Sequence, residues 1–86
     1  MQLIVFTSQN CAPCNQLKQS LEQVTLPDHM TYREVDVEQN PQEAMGYAVR
    51  SLPTIIVTDD DGIPVQTRTG SMSVSALEES VRGARA

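Results

Sequence analysis

An α/β fold of order β-α-β-α-β-β-α, a four-stranded mixed sheet with three helices, is predicted by three features of the sequence. Leu3-Ile4-Val5-Phe6 is continuously apolar, as a strand covered on both faces must be. Leu17, Leu21 and Val24 follow at helical spacing and a second strand pattern comes soon after, so the first unit is a right-handed parallel crossover. Asp59-Asp60-Asp61-Gly62, a strong turn signal, lies between apolar Ile55-Ile56-Val57 and a polar stretch, which reads as an antiparallel hairpin.

The first helix is expected over about 11–24. Pro13 falls in its first turn, where the missing N–H has no intrahelical partner to lose, and Pro27 stops it. Asp28 and His29 form a turn, with His29 a surface residue. A second strand over 31–36 places Val35 and Val37 on one side and Glu34 and Asp36 on the other. Asn40 is a candidate N-cap and Pro41 suits the first position of a short second helix carried by Ala44, Tyr47 and Ala48. That helix depends on packing, being too short to hold by itself.

The third strand centres on residues 55–57 and the fourth, edge-like strand on about 64–68. The aspartates between them read as a solvated turn, since the oxygen pattern of a calcium loop is not completed downstream. Gly70 closes the fourth strand. Ser73 or Ser75 begins the last helix, the latter offering a capping box with Glu78, and Leu77 and Val81 face inward; residues 83–86 should fray. With 86 residues and no linker or repeat, one domain over 1–86 is expected, with a small core burying about 60 to 65% of its unfolded surface.

Cys11 and Cys14 sit at the first strand-to-helix junction. There the free N–H groups of a helix start can lower the pKa of a thiol from about 8.5. Cys14, Leu17, Leu21 and Val24 step by three, four and three, so Cys14 lies on the apolar side and Cys11 at the uncovered end. One cysteine is available to attack and the other is held back. A structural bridge across so small a loop would restrain the unfolded chain little, so a bond that opens and closes is the leading reading. Zinc would need two further ligands, and His29 is the only histidine.

Composition excludes several other roles. The net charge is −5, the basic residues are scattered, and the only aromatics are Phe6, Tyr32 and Tyr47, which argues against nucleic acid. No 20-residue apolar stretch spans a bilayer, and the N-terminus lacks the basic opening and cleavage site of a signal peptide. A cytoplasmic address is expected.

Taken together, Cys11-Ala12-Pro13-Cys14 after a strand, Val35-Asp36-Val37-Glu38-Gln39-Asn40-Pro41, Val49-Arg50-Ser51-Leu52-Pro53-Thr54, Gly62 and Gly70 resemble the thioredoxin superfamily over nearly the whole chain. The resemblance implies a minimal, glutaredoxin-sized thioredoxin-like fold. It also implies a cis bond before Pro53, a substrate platform formed by Leu52, Pro53 and Gly70, and catalytic Cys11 and Cys14 with Ala12 and Pro13 at the helix start. The implied activity is reduction of protein disulfides by dithiol exchange, with no bound cofactor. Electrons would come from NADPH through thioredoxin reductase or a small thiol, to disulfide proteins such as ribonucleotide reductase, the carrier acting as a monomer.

The Ala-Pro dipeptide and the Ser-Leu-Pro-Thr segment look like thioredoxin, whereas the length looks like glutaredoxin. A glutathione-using glutaredoxin is the nearest alternative, although Pro13 stands at its usual tyrosine and Thr69-Gly70 at its Gly-Gly pair. A non-catalytic adaptor of the same fold is an alternative of another class. Asn10 stands where thioredoxins usually carry tryptophan, and Val5 where they bury an aspartate that assists the second cysteine. The base acting on Cys14 is thereby unassigned. Tyr47 and Met72 read as core residues or partner contacts, and Lys18 as a solvated residue or a steering charge.

Overall fold

The computed structural model describes residues 1–83. Four strands, β1 (Gln2–Thr7), β2 (Thr31–Asp36), β3 (Thr54–Thr58) and β4 (Pro64–Thr69), and three helices, α1 (Ala12–Leu21), α2 (Pro41–Gly46) and α3 (Val74–Gly83), follow in the predicted order. The sheet runs β2-β1-β3-β4, with β1 parallel to β2 and antiparallel to β3, and β3 antiparallel to β4. It is mixed because β1 and β2 are joined by a crossover helix whereas β3 and β4 are joined by a tight turn.

Alternation along β1 splits the core into two layers. Leu3 and Val5 join Leu17, Leu77 and Val81 on the side of α1 and α3. Ile4 and Phe6 join Val35, Ala44 and Ile56 on the side of α2. The apolar run at 3–6 is needed because neither face of this strand meets water.

Two helix ends differ from the sequence expectation, and the start of the third helix falls on the first of its two expected positions. α1 ends at Leu21 rather than near Val24, because Gln23 and Val24 donate to Ser20 and Leu21 in tighter i→i−3 bonds. Val24 still packs against the core from the turn. α2 ends at Gly46; Tyr47 is its C-cap and Ala48 lies beyond it in the left-handed region at φ 58°. Ala48 donates to the Met45 carbonyl and Val49 to that of Ala44, a Schellman closure built on alanine where glycine is usual. α3 starts from Ser73 and not from Ser75: the Ser73 hydroxyl accepts from the Ala76 amide at 3.2 Å, leaving Ser75 inside the helix and the Ser75–Glu78 capping box unformed.

Asn40 occupies the N-cap of α2, but its side chain donates to the Asp36 carbonyl and makes no cap bond. The β3–β4 turn is held by Asp59, whose carboxylate accepts from Asp61 and Ile63, and by Gly62 at φ 81°. Asp60 pairs with the N-terminal ammonium at 2.6 Å, which holds its carboxyl below the usual range. His29 is exposed in its turn. Tyr47 and Met72 fall on the core side: Tyr47 tilts against Phe6 at 5.7 Å between ring centroids, and Met72 packs on the α1/α3 layer. The expected fraying concerns residues 84–86, outside the described residues, and Gly83, which closes α3.

Two predictions follow from α2. Ala48→Gly should raise stability by about 0.5 kcal/mol in chemical denaturation, the relief of left-handed strain at a β-carbon (about 1–2 kcal/mol) exceeding the extra freedom of glycine in the unfolded chain. Ala48→Val should lower it, and the opposite order would refute the strain. Arg33 donates to Glu43, tying α2 to β2, and that hydrogen bond holds the Glu43 carboxyl below its ordinary 4.5. The lowered folded-state pKa means that the stabilisation is complete above pH 4.5 and is lost as pH falls through the lowered value. Both groups are partly exposed, so Glu43→Gln should cost less than about 1 kcal/mol at pH 7, and the cost should shrink in acid denaturation profiles.

Candidate active site

Three segments meet at the carboxyl end of β1. The strand ends at Thr7, residues 8–10 turn the chain, and Cys11 becomes the N-cap of α1 with extended backbone, φ −131° and ψ 103°. Asn15 donates to the Cys11 carbonyl, the first intrahelical bond. Of the amides before it, Pro13 has none and Cys14 donates to the Cys11 sulfur at 3.2 Å. The sulfur therefore occupies the place of a capping oxygen.

Cys11 and Cys14 are joined by a disulfide, with Cα atoms 5.1 Å apart. Their surroundings differ as the helical spacing predicts: Cys11 is half-buried and Cys14 is 0% exposed. Ala12 and Pro13 are exposed beside them, and the first turn carries no acidic residue. When the bond is open, the helix dipole and the Cys14 amide both favour negative charge on the outer sulfur. No opposing carboxylate sits on that turn.

The second segment precedes β3. Phe6 pairs with Thr54, so residues 51–53 lie beside the loop that ends β1. The Thr54 hydroxyl donates to the Ser51 carbonyl at 2.7 Å, closing this turn, and the Leu52–Pro53 bond is cis. Pro53 is buried, and Leu52 packs on the α2-side core.

The third segment follows β4. Thr69 pairs with Thr54, and the Gly70 amide donates to the Pro53 carbonyl at 2.9 Å. Gly70 sits at φ 87°, and a β-carbon there would meet nothing within 4 Å. The backbone requires glycine for its sign of φ, and the space above it is open. The fold thus brings Cys11, Cys14, Leu52, Pro53 and Gly70 to one end of the sheet.

Sequence reasoning passed over Thr7. Its side chain lies two residues beyond Val5, on the α1 side, and is buried; its hydroxyl donates to Glu34 at 3.3 Å. Lys18, one helical turn after Cys14, pairs with the same carboxylate at 2.9 Å, and Tyr32 reaches it at 3.5 Å. Partial burial, then the negative charge of Glu34, raises the Tyr32 pKa. Lys18 is therefore a paired residue. The available signals were the i, i+4 step from Cys14 to Lys18 and the alternation of β1. Among the described residues no group of three metal-ligating side chains occurs.

Comparison with known proteins agrees with this geometry. The thioredoxin family model matches residues 1–83. A thioredoxin from Chlamydia trachomatis is 40% identical over 77 residues, which span 87% of this chain and 74% of the relative. One from Rhodospirillum rubrum is 32% identical over 76 residues, 86% of this chain and 72% of the relative. The crystal structure of Malassezia sympodialis thioredoxin has the same fold, with a TM-score of 0.85 at 24% identity over 95% of this chain and 72% of that one. With its cysteine pair bonded at the helix start and the Pro53 and Gly70 segments beside it, the chain belongs to the thioredoxin family and is a thiol-disulfide oxidoreductase.

Proposed function

We propose that this protein is a dithiol electron carrier that reduces protein disulfides and is recharged by thioredoxin reductase with electrons from NADPH. The observation that carries this reading is the asymmetry of the pair, a half-buried Cys11 at the helix start bonded to a fully buried Cys14. Reduced Cys11 attacks one sulfur of the target disulfide as a thiolate, and the other sulfur leaves as a thiolate. Cys14 then attacks Cys11 in the mixed disulfide, releasing the second target sulfur and restoring the internal bond. Two electrons pass to the target, and the reductase returns them.

Leu52, Pro53 and Gly70 supply the surface on which an extended target segment rests. The half-buried Leu52 and the open space at Gly70 support that placement. Residues 1–86 act as one domain, in a cytoplasm where thiols are kept reduced. Disulfide proteins such as ribonucleotide reductase are the target class. Among the described residues no helix is long and apolar enough to cross a membrane. The relatives named thioredoxin support this reading, and glutathione is the alternative donor.

In the reduced protein, iodoacetamide at pH 7 should alkylate Cys11 at least about tenfold faster than Cys14 by peptide mass spectrometry. Equal labelling would remove the assignment of Cys11 as nucleophile. Coupled NADPH oxidation with a generic disulfide should proceed with thioredoxin reductase and not with glutathione plus its reductase. Turnover only with glutathione would make the chain a glutaredoxin in function. Retention of its cellular role by Cys11→Ser would make it an adaptor.

A further inference from the structure

We infer that the free edge of β2, together with the hollow beside it, binds an extended segment of a partner protein carrying an apolar and a basic residue two positions apart. No residue assigned to the exchange chemistry belongs to this surface.

The sheet has two edges, β2 and β4. The β4 edge is blunted, since it opens on Pro64 and its register with β3 shifts between Val57 and Thr58. β2 has neither device: it pairs with β1 in unbroken register from Thr31 to Asp36. The Thr31 and Val37 amides donate to the Met1 and Thr7 carbonyls, so the odd-numbered residues of β2 turn their backbone groups toward β1. The even-numbered residues turn theirs outward. The Asp36 carbonyl is taken by the Gln39 and Asn40 amides. Tyr32 and Glu34 keep two donors and two acceptors on the open side, and among the described residues no backbone group of a loop or cap bonds to them.

The side chains of Tyr32 and Glu34 lie on the α1 side, in register with Leu3 and Val5. With Leu21, Val24 and Leu26 they wall an open hollow of about 420 Å³. Those three apolar side chains are half-buried and Tyr32 is 44% exposed, so an apolar side chain set over them covers surface that water now reaches. An added strand brings every second side chain to this face. One apolar residue therefore fills the hollow, and the residue two positions along reaches its rim.

Charge at the rim selects a base there. Lys18 and Glu34 pair at 2.9 Å, and on the opposite face Arg33 is held by Glu43. Glu22 stands exposed in the wall of the hollow and makes no ion pair among the described residues. Asp36 continues the same sign along the strand. A lysine or arginine complements these carboxylates. A second copy of the chain fits less well: a two-fold antiparallel pairing of β2 with β2 that engages Tyr32 and Glu34 of both copies sets Arg33 directly opposite Arg33.

The test uses the oxidised full chain, isotope-labelled for NMR, and the peptide acetyl-Thr-Leu-Thr-Lys-Thr-amide. Titration should give saturable shifts of the Tyr32 and Glu34 amides and of the Leu21, Val24 and Leu26 methyl groups, half-complete at about 1 mM. Glutamate in place of the peptide's lysine should weaken binding at least about fivefold, and Glu22→Gln should weaken binding of the lysine peptide about two- to fivefold at low salt. A strand directs alternate amides to one side, so N-methylation of one alternate set of peptide amides should abolish the shifts and N-methylation of the other set should preserve them. No saturable shifts, equal binding of the lysine and glutamate peptides, or equal binding of the two N-methylated forms would overturn the proposal. Shifts of Tyr32 and Glu34 that grow with protein concentration in the absence of peptide would assign the edge to a second copy and overturn it as well.

Discussion

β1 is paired along both edges and covered on both faces, and the remaining structure is arranged around that burial. Its side chains alternate between the α1/α3 layer and the α2 layer, so one six-residue strand organises two half-cores. Each half-core is small, and neither has a large aromatic cluster to spare. Phe6 is buried in one of them, and its contact with Tyr47 joins the loop after α2 to the strand whose end carries the cysteines. The rigidity of β1 fixes where the chain emerges at Thr7, and the four residues after it suffice to start a helix in the right place.

The two cysteines draw different environments from the same turn. Position on the N-cap gives Cys11 an amide donor, a helix dipole and access to solvent. Position three residues later gives Cys14 the inner face of the helix and complete burial. Division of roles between them is a consequence of helical periodicity, because a separation of three residues carries a side chain from the helix end to its buried stripe. The segments around Pro53 and Gly70 are joined to this turn through strand pairing, with Thr54 as the shared partner of Phe6 and Thr69.

Charge is placed at the margin of the sheet. Glu34, Lys18 and Tyr32 gather at the outer side of β2, where carboxylate and ammonium remain partly hydrated. Burial of an unpaired carboxylate in so small a core would be costly, and the sequence places Val5 at the corresponding interior position. Thr7 is a buried polar side chain at the edge of this face, and its hydroxyl is satisfied by Glu34.

The sequence by itself determined the element order, the antiparallel hairpin, the inward set Leu3 to Phe6, and the contrast between Cys11 and Cys14. These follow from periodicity and turn chemistry, which act over a few residues. Helix ends were less legible. Whether α1 stops at Leu21 or Val24, and whether Ser73 or Ser75 caps α3, depends on competing local hydrogen bonds of similar energy, which the packing of neighbouring elements decides. The left-handed Ala48 was invisible, since alanine carries no signal for that conformation; it is held by the closure of α2. The Thr7–Glu34–Lys18 cluster was legible only in pieces, for a different reason. Its members lie on three separate elements, and only the parallel register of β1 with β2 and the return of α1 across them bring a hydroxyl, a carboxylate and an ammonium within hydrogen-bonding reach.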